Sequence, residues 1–207
     1  MTDVIGSFEL FDRQTKSYVR ATIVSPLGSV QATDFKSHWK PGFEDRLKTA
    51  HSAEELEAAQ LQDSHWKWPE KIAAGAGNIA YASFAVMADG MTQGMMFVNL
   101  VKHCRLDEQK GKPLAYVHLL SSAPWNRPGL TAKPRFRGIG SALIGAAVSL
   151  SIDQGFKGRI GLHALPQSTS WYRDKCRMTD LGPDTRIVGM HYFEMTEGQA
   201  LAFLNVP

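Results

Sequence analysis

Over residues 7–25, SFELFDRQTKSYVRATIVS, two β-prone runs flank a polar DRQTK turn, which predicts a hairpin. The mixed spacing of residues 34–63, DFKSHWKPGFEDRLKTAHSAEELEAAQLQD, predicts two helices separated at Pro41 and Gly42. Ser52, followed three residues later by Glu55, is a capping-box pattern and sets a helix start. After the GAG at 75–77 come three strand-like runs, 78–88, 94–104 and 113–122, parted by ADGMTQG and DEQKGK turns; they predict an antiparallel meander. The apolar run 141–154 predicts a helix closed by Gly155, and GRIGLHAL at 158–165 a buried strand. Strand, helix, strand implies a parallel pair. A short helix over 167–175, a strand over 191–195 and a last helix capped by Thr196 with Gln199 complete the chain. The order predicts an α+β fold with a mixed, mostly antiparallel central sheet flanked by helices.

At 207 residues the chain fits a single domain over 1–207, since two independent cores would be cramped. Its start, MTDVIGSFEL, lacks the basic and apolar regions of a signal peptide, and its most apolar stretch, 142–152, is too short to span a bilayer. The expectation is a cytoplasmic protein without a membrane partner. Cys104 and Cys176 are the only cysteines and show no metal-binding spacing, so reduced thiols and no metal are expected. A net charge of +3 suits an anionic small ligand as well as a nucleic acid.

The stretch KPRFRGIGSALIGAAV, residues 133–148, sharpens this. The first N–H groups of a helix lack intrahelical partners and carry the positive end of its dipole, so they attract phosphate. Gly138 and Gly140 remove Cβ atoms where a diphosphate would approach, and Arg135 and Arg137 add charge. A surface turn with solvated arginines is the plainer alternative. A P-loop would need Gly-Lys-Ser/Thr after the second glycine, and a dinucleotide fingerprint a third glycine; Ser141-Ala142-Leu143 stands there instead.

With these residues in view, the chain resembles the GNAT superfamily of acyl-CoA-dependent N-acetyltransferases. The family's signature, Arg/Gln-x-x-Gly-x-Gly/Ala opening a helix after the fourth strand, is matched by Arg135-Phe136-Arg137-Gly138-Ile139-Gly140. The order of elements over residues 15–205 follows the family too. The resemblance implies that Arg137, Gly138, Ile139, Gly140 and Ser141 cradle the acetyl-CoA pyrophosphate, with Arg135 filling the motif's first position. It also implies that strands four and five, 113–122 and 158–165, splay apart. Leu119 to Ser121, including Leu120, would then offer main-chain N–H groups to the pantetheine arm and the thioester oxygen. Tyr172, in STSWY, matches the tyrosine that protonates the leaving thiolate; packing is its other reading. The family's usual strand-four glutamate is missing, which leaves His118 and Ser121 as candidates for the base, brought together by a bulge, with His163 as a rival. Where relatives pass quickly to the signature, SSAPWNRPGLTAKP intervenes, as a lid, a substrate-contacting loop or a proline-stiffened surface loop. The tryptophans of SHWKPGF and HWKWPEK, and Met87, Met91, Met95 and Met96, are expected mainly to pack.

The implied activity is transfer of an acetyl group from acetyl-CoA to a primary amine of a small molecule or protein, by direct attack. A non-catalytic acyl-CoA-binding module is the alternative, and turnover with an amine panel separates the two. Nucleic-acid binding would call for a clearer basic excess and is not expected. A homodimer is left open.

Overall fold

Strand β1 (Asp3–Asp12) and strand β2 (Ser17–Ser25) pair antiparallel from Asp3↔Ser25 to Asp12↔Ser17, with a register shift between Val4 and Gly6. The Asp12 carboxylate accepts from the backbone N–H groups of Gln14 (2.8 Å) and Thr15 (3.3 Å), folding the polar turn back on itself. The hairpin therefore begins four residues before the periodicity suggests. The protein is described here by a computed structural model covering residues 2–50, 52, 54–55, 61–187 and 189–205.

Helix α1 (Ser29–Asp34) continues through one wider turn, Phe35–Trp39, into helix α2 (Lys40–Thr49). The predicted break at Pro41 and Gly42 does not occur. The Lys40 N–H reaches back five residues to the Phe35 carbonyl, and Pro41 stands in the first turn of α2, where a missing N–H is tolerated. Gly42 serves packing instead: a Cβ there would lie 3.1 Å from Pro124 Cβ. At the predicted capping box the Glu55 N–H donates to Ser52 Oγ at 3.2 Å; residues 56–60 of that helix lie outside the described part. Helix α3 (Trp68–Gly75), unforeseen in the sequence, follows.

Strand β3 (Tyr81–Ala88) and strand β4 (Met91–His103) are joined by Asp89 and Gly90 alone, both at positive φ (50° and 70°). That two-residue turn replaces the seven-residue one predicted, because Asp-Gly fits the twist of a tight hairpin. Strand β5 (Pro113–Ser122) has the predicted bounds. Strand β6 (Phe136–Arg137) leads into helix α4 (Ile139–Asp153). Gly155 ends α4 at φ 74°, with its N–H on Ile152 O (2.9 Å) and the Phe156 N–H on Ser151 O (2.7 Å), the two bonds of a Schellman motif. Then come strand β7 (Ile160–Ala164), helix α5 (Thr169–Asp174), strand β8 (Thr179–Pro183), strand β9 (His191–Met195) and helix α6 (Glu197–Leu204). The predicted capping box of α6 is complete: Thr196 Oγ1 accepts from the Gln199 N–H at 3.2 Å and Gln199 Oε1 from the Thr196 N–H at 2.8 Å.

The strands form one mixed sheet in the order β6-β1-β2-β3-β4-β5-β7-β9-β8. β5 and β7 are its parallel pair; β1–β2, β1–β6, β2–β3, β7–β9 and β8–β9 are antiparallel. The chain groups into two compact units. The first comprises Met1–Ile79, Ser83–Met96 and Leu120–Leu143; the second comprises Ala80–Ala82, Phe97–Leu119 and Ile144–Pro207. Leu10, Trp39, Trp68, Met95, Met96 and Leu143 fill the first core, and Leu114, Ile144, Ile160, Leu162, Phe193 and Met195 the second. Among the described residues no helix is long and apolar enough to cross a membrane.

In the first unit β4 passes the start of α4 at Gly94. A Cβ there would come 2.4 Å from Ile139 Cγ2 and 3.1 Å from Leu143 Cδ1, so only glycine lets α4 seat. Gly94→Val should cost roughly 1–3 kcal/mol of stability or more by overpacking, read as a lower midpoint in urea at unchanged slope.

Candidate functional site

In the first unit the signature loop is held before it reaches the helix. Phe136 and Arg137 pair with Asp12 and Phe11 of β1, the Phe136 N–H donates to Asn126 Oδ1 (3.0 Å), and the Arg13 N–H donates to Arg135 O (2.8 Å). The Arg135 side chain turns inward. Its Nε donates to Asp12 Oδ2 at 3.1 Å and its Nη2 to Asp89, so one guanidinium joins the β1–β2 turn to the β3–β4 turn. Burial opposes its charge, yet the bonds to Asp12 and Asp89 outweigh that and raise its pKa above the ordinary value. Burial pushes the Asp12 carboxyl up, but the Gln14 N–H, Arg135 and the Thr15 N–H together hold it below the usual carboxylate range.

Beyond this anchor the chain turns at Gly138, φ 99°, and the first bond of the α4 ladder runs from the Ala142 N–H to Gly138 O at 2.9 Å. The N–H groups of Ile139, Gly140 and Ser141 precede that ladder and have no intrahelical acceptor. Arg137, Gly138 and Ser141 are exposed, Gly140 half-buried and Ile139 buried, and no acidic residue stands in the first turn. Beside the loop an open cavity of about 720 Å³ is lined by Arg13, Gln14, Ala132, Lys133 and Pro134, two cations without a carboxylate. Free N–H groups at the positive end of a helix dipole attract anions.

The intervening segment 121–134 is fixed by buried polar contacts within the same unit. Gln93 Oε1 accepts from Trp125 Nε1 (2.8 Å) and Asn126 Nδ2 (2.9 Å). Arg127 Nη1 donates to both oxygens of Asp63, at 2.8 and 3.0 Å, and Ser121 Oγ donates to Asp63 Oδ2 at 2.5 Å. Trp125 meets Trp39 edge to face at 6.5 Å. These bonds make the segment a strap. Asp63, Gln93 and Arg127 carry no sequence signal, because their partners lie 32 to 64 residues away.

On β5, residues 115, 117, 119 and 121 are buried while His118 is exposed, so His118 and Ser121 fall on opposite faces of a regularly alternating strand. Its pairing with β7 runs Ala115↔Ile160, Tyr116↔Gly161, Val117↔Leu162 without a shift and ends before His118. Leu119, buried, and Leu120, half-buried, lie past the last of these pairs. Tyr172 is in the second unit, 6% exposed, its ring against Trp171 (4.9 Å) and Phe193 (6.1 Å). Of the tryptophans singled out, Trp39 and Trp68 are core residues at 0% and 1% exposure.

The second unit holds a cluster of which the sequence signals only His163. His163 Nδ1 lies 2.7 Å from Tyr116 Oη, and His163 Nε2 lies 2.9 Å from Asp184 Oδ2. Arg105 and Arg186 both donate to Asp184, and Arg105 also lies 3.9 Å over the Tyr192 ring. Glu194, fully buried, accepts from the N–H groups of Arg105 and Leu106, from Gln109 and from Tyr192.

The strap sets up a direct test. Asp63→Ala removes the carboxylate that offsets the buried Arg127 guanidinium, and should cost about 3–5 kcal/mol, with amide exchange rising across 121–131. An Asp63→Ala protein of wild-type stability would show that the strap is held by other contacts.

At the level of sequence, no protein-family profile and no curated protein matches the chain. Solved structures do. The N-acyl amino acid synthase FeeM from uncultured soil microbes superposes with a TM-score of 0.55 at 9% identity, over 89% of this chain and 94% of its own. A putative arylalkylamine N-acetyltransferase of the yellow fever mosquito gives 0.52 at 12%, over 94% and 95%. The PaiA N-acetyltransferase of Thermoplasma acidophilum, in complex with coenzyme A, gives 0.50 at 14%, over 84% and 98%. With the element order, the mixed sheet and the signature helix already in place, these likenesses establish that the chain has the fold of the GNAT superfamily.

Proposed function

We propose that the chain is an acetyl-CoA-dependent N-acetyltransferase whose acceptor is a primary amine of a small molecule or protein. One observation carries this reading: the α4 start, where Gly138 at φ 99°, open N–H groups at Ile139 to Ser141 and an acid-free first turn offer a diphosphate its bonds. Arg137, exposed, adds positive charge beside it. That PaiA, of the same fold, is described in complex with coenzyme A supports the same donor here.

The amine nitrogen attacks the thioester carbonyl, the C–N bond forms and the C–S bond breaks. A main-chain N–H in the Leu119–Ser121 window meets the oxyanion. Tyr172 protonates the departing thiolate. Direct attack is supported by the state of the thiols. Burial pushes Cys176 to about 12, and burial with the neighbouring Glu194 charge pushes Cys104 to about 11, so neither is a thiolate nucleophile at neutral pH.

Two experiments test this. Acetyl-CoA at a hundred times its Kd should stabilise the protein by about 2.7 kcal/mol, read as a rise in Tm. Gly138→Val should abolish the rise; so should Ser141→Glu, whose carboxylate favours the helix but repels a phosphate, separating lost binding from lost folding. An undiminished rise in both variants would remove the loop from coenzyme binding. Tyr172→Phe should lower turnover roughly a hundredfold while acetyl-CoA affinity holds; equal turnover would leave Tyr172 a packing residue.

A further inference from the structure

β5 carries no carboxylate to take the proton that the attacking amine loses, but the second unit holds a hydrogen-bonded line of three side chains in the region where β5 leaves β7. Tyr116 stands one residue before the last β5–β7 pair, Val117↔Leu162, and His163 one residue after it. Tyr116 Oη meets His163 Nδ1 at 2.7 Å, and His163 Nε2 meets Asp184 at 2.9 Å. His163 and Asp184 side chains are 5% and 6% exposed, whereas Tyr116 is half-buried and so forms the outer end of the line.

The bonds fix the direction of the protons. Asp184 accepts from the Arg186 side chain and N–H and from Arg105 as well as from His163; Arg186 first, then His163 and Arg105, hold its carboxyl far below the usual range, so it is an acceptor only. His163 therefore donates from Nε2. Burial, with the Arg105 and Arg186 charges, outweighs the Asp184 contribution and lowers the His163 pKa, which keeps the ring neutral at pH 7 and its Nδ1 unprotonated. The Tyr116 hydroxyl must then donate to Nδ1, leaving its oxygen lone pairs free to receive a hydrogen bond. Burial also raises the Tyr116 pKa, so the phenol is not ionised at rest. The other groups facing the cluster are His118, its ring 6.3 Å from Tyr116, Tyr192, its ring 4.8 Å from His163, and Glu194, which accepts from Tyr192 Oη at 2.9 Å.

We infer that Tyr116, His163 and Asp184 form the proton relay of amine acetylation, with Tyr116 touching the acceptor amine. As the C–N bond forms, the amine proton passes to Tyr116 Oη, the phenol proton passes to His163 Nδ1, and Asp184 stabilises the imidazolium until it returns its proton to solvent. His163 and Asp184 act through Tyr116 and are positioning residues. The inference rests on the acetyltransferase reading and adds to it the group that accepts the proton.

The test uses the full chain with acetyl-CoA and four probe amines: an arylalkylamine, a polyamine, an aminoglycoside and a lysine peptide. Tyr116→Phe and His163→Gln should each lower kcat/KM about a hundredfold, with acetyl-CoA affinity unchanged. In wild type, log kcat/KM against pH should have a slope of about two below the His163 pKa and about one above it, since an amine of pKa ~10.4 also loses a proton. In His163→Gln the slope should stay at about one throughout, and His118→Ala should keep the wild-type break. Imidazole nitrogen NMR should find His163 in the Nε2–H form, with a pKa below 6.5. Asp184→Asn should disturb that tautomer preference and follow His163→Gln in its profile. A wild-type rate and profile in Tyr116→Phe, an Nδ1–H tautomer, or a break lost in His118→Ala and kept in His163→Gln overturns the relay and leaves the acetyltransferase reading standing. Failure to bind acetyl-CoA or to acetylate any of the amines fails that reading, and the relay with it.

Discussion

Much of the first unit's β6 edge depends on one guanidinium. Arg135 bonds to Asp12 at the β1–β2 turn and to Asp89 at the β3–β4 turn, while its own N–H donates to Trp125 O and its carbonyl accepts from Arg13. Three chain segments far apart in sequence thereby meet at the residue that precedes β6. Gly138 sits in a region of φ that costs most side chains strain, and such a turn keeps its shape only when the backbone before it is fixed. Arg135 fixes it. The motif is therefore not a simple run of positive charges aimed at a ligand. The Arg135 charge is balanced by two carboxylates, and Arg137 is the arginine whose side chain is exposed.

Both units are organised around buried ions answered at close range. Asp63 takes Arg127 and Ser121, and Glu194 takes two backbone N–H groups, Gln109 and Tyr192. Among the described residues no buried side-chain nitrogen or oxygen lacks a partner. Desolvation offsets much of the attraction in such pairs, so their effect is to select one arrangement over others: a shifted strap would leave a buried charge unanswered. Glycine acts alongside them as a spacer. A Cβ on Gly161 would lie 2.9 Å from Tyr192 Oη, so its absence lets that hydroxyl reach Glu194.

Local rules are legible in the sequence and long-range ones are not. β5 and β9 have the bounds their patterns imply, the Thr196–Gln199 box caps α6, and Gly155 closes α4, because each depends on residues within a few positions. The helix runs on through Pro41, against its sequence pattern, because the wider turn that accommodates the proline has no composition signal. β6 is two residues long, and β8 is a half-exposed strand defined by its partner β9, so neither has a period to detect. At the site, the loop of Arg135 to Ser141 is legible as a motif, while the strap and the Tyr116–His163–Asp184 line join residues 21 to 64 positions apart.

The absence of a carboxylate from β5 then has a physical consequence. A carboxylate facing an apolar thioester pocket must be raised in pKa by burial to serve as a base, and its charge meets the cost of desolvation directly. In the proposed relay, the resting groups nearest the amine are neutral, a phenol and an imidazole, and the permanent charge sits one hydrogen bond further back, on Asp184 between Arg105 and Arg186. Charge appears at His163 only as the amine loses its proton, already beside its counter-ion. The two arginines set the balance. They keep Asp184 ionised, while burial, with their charges added to it, lowers the His163 pKa, so the imidazolium formed is short-lived and the relay resets by giving its proton to water.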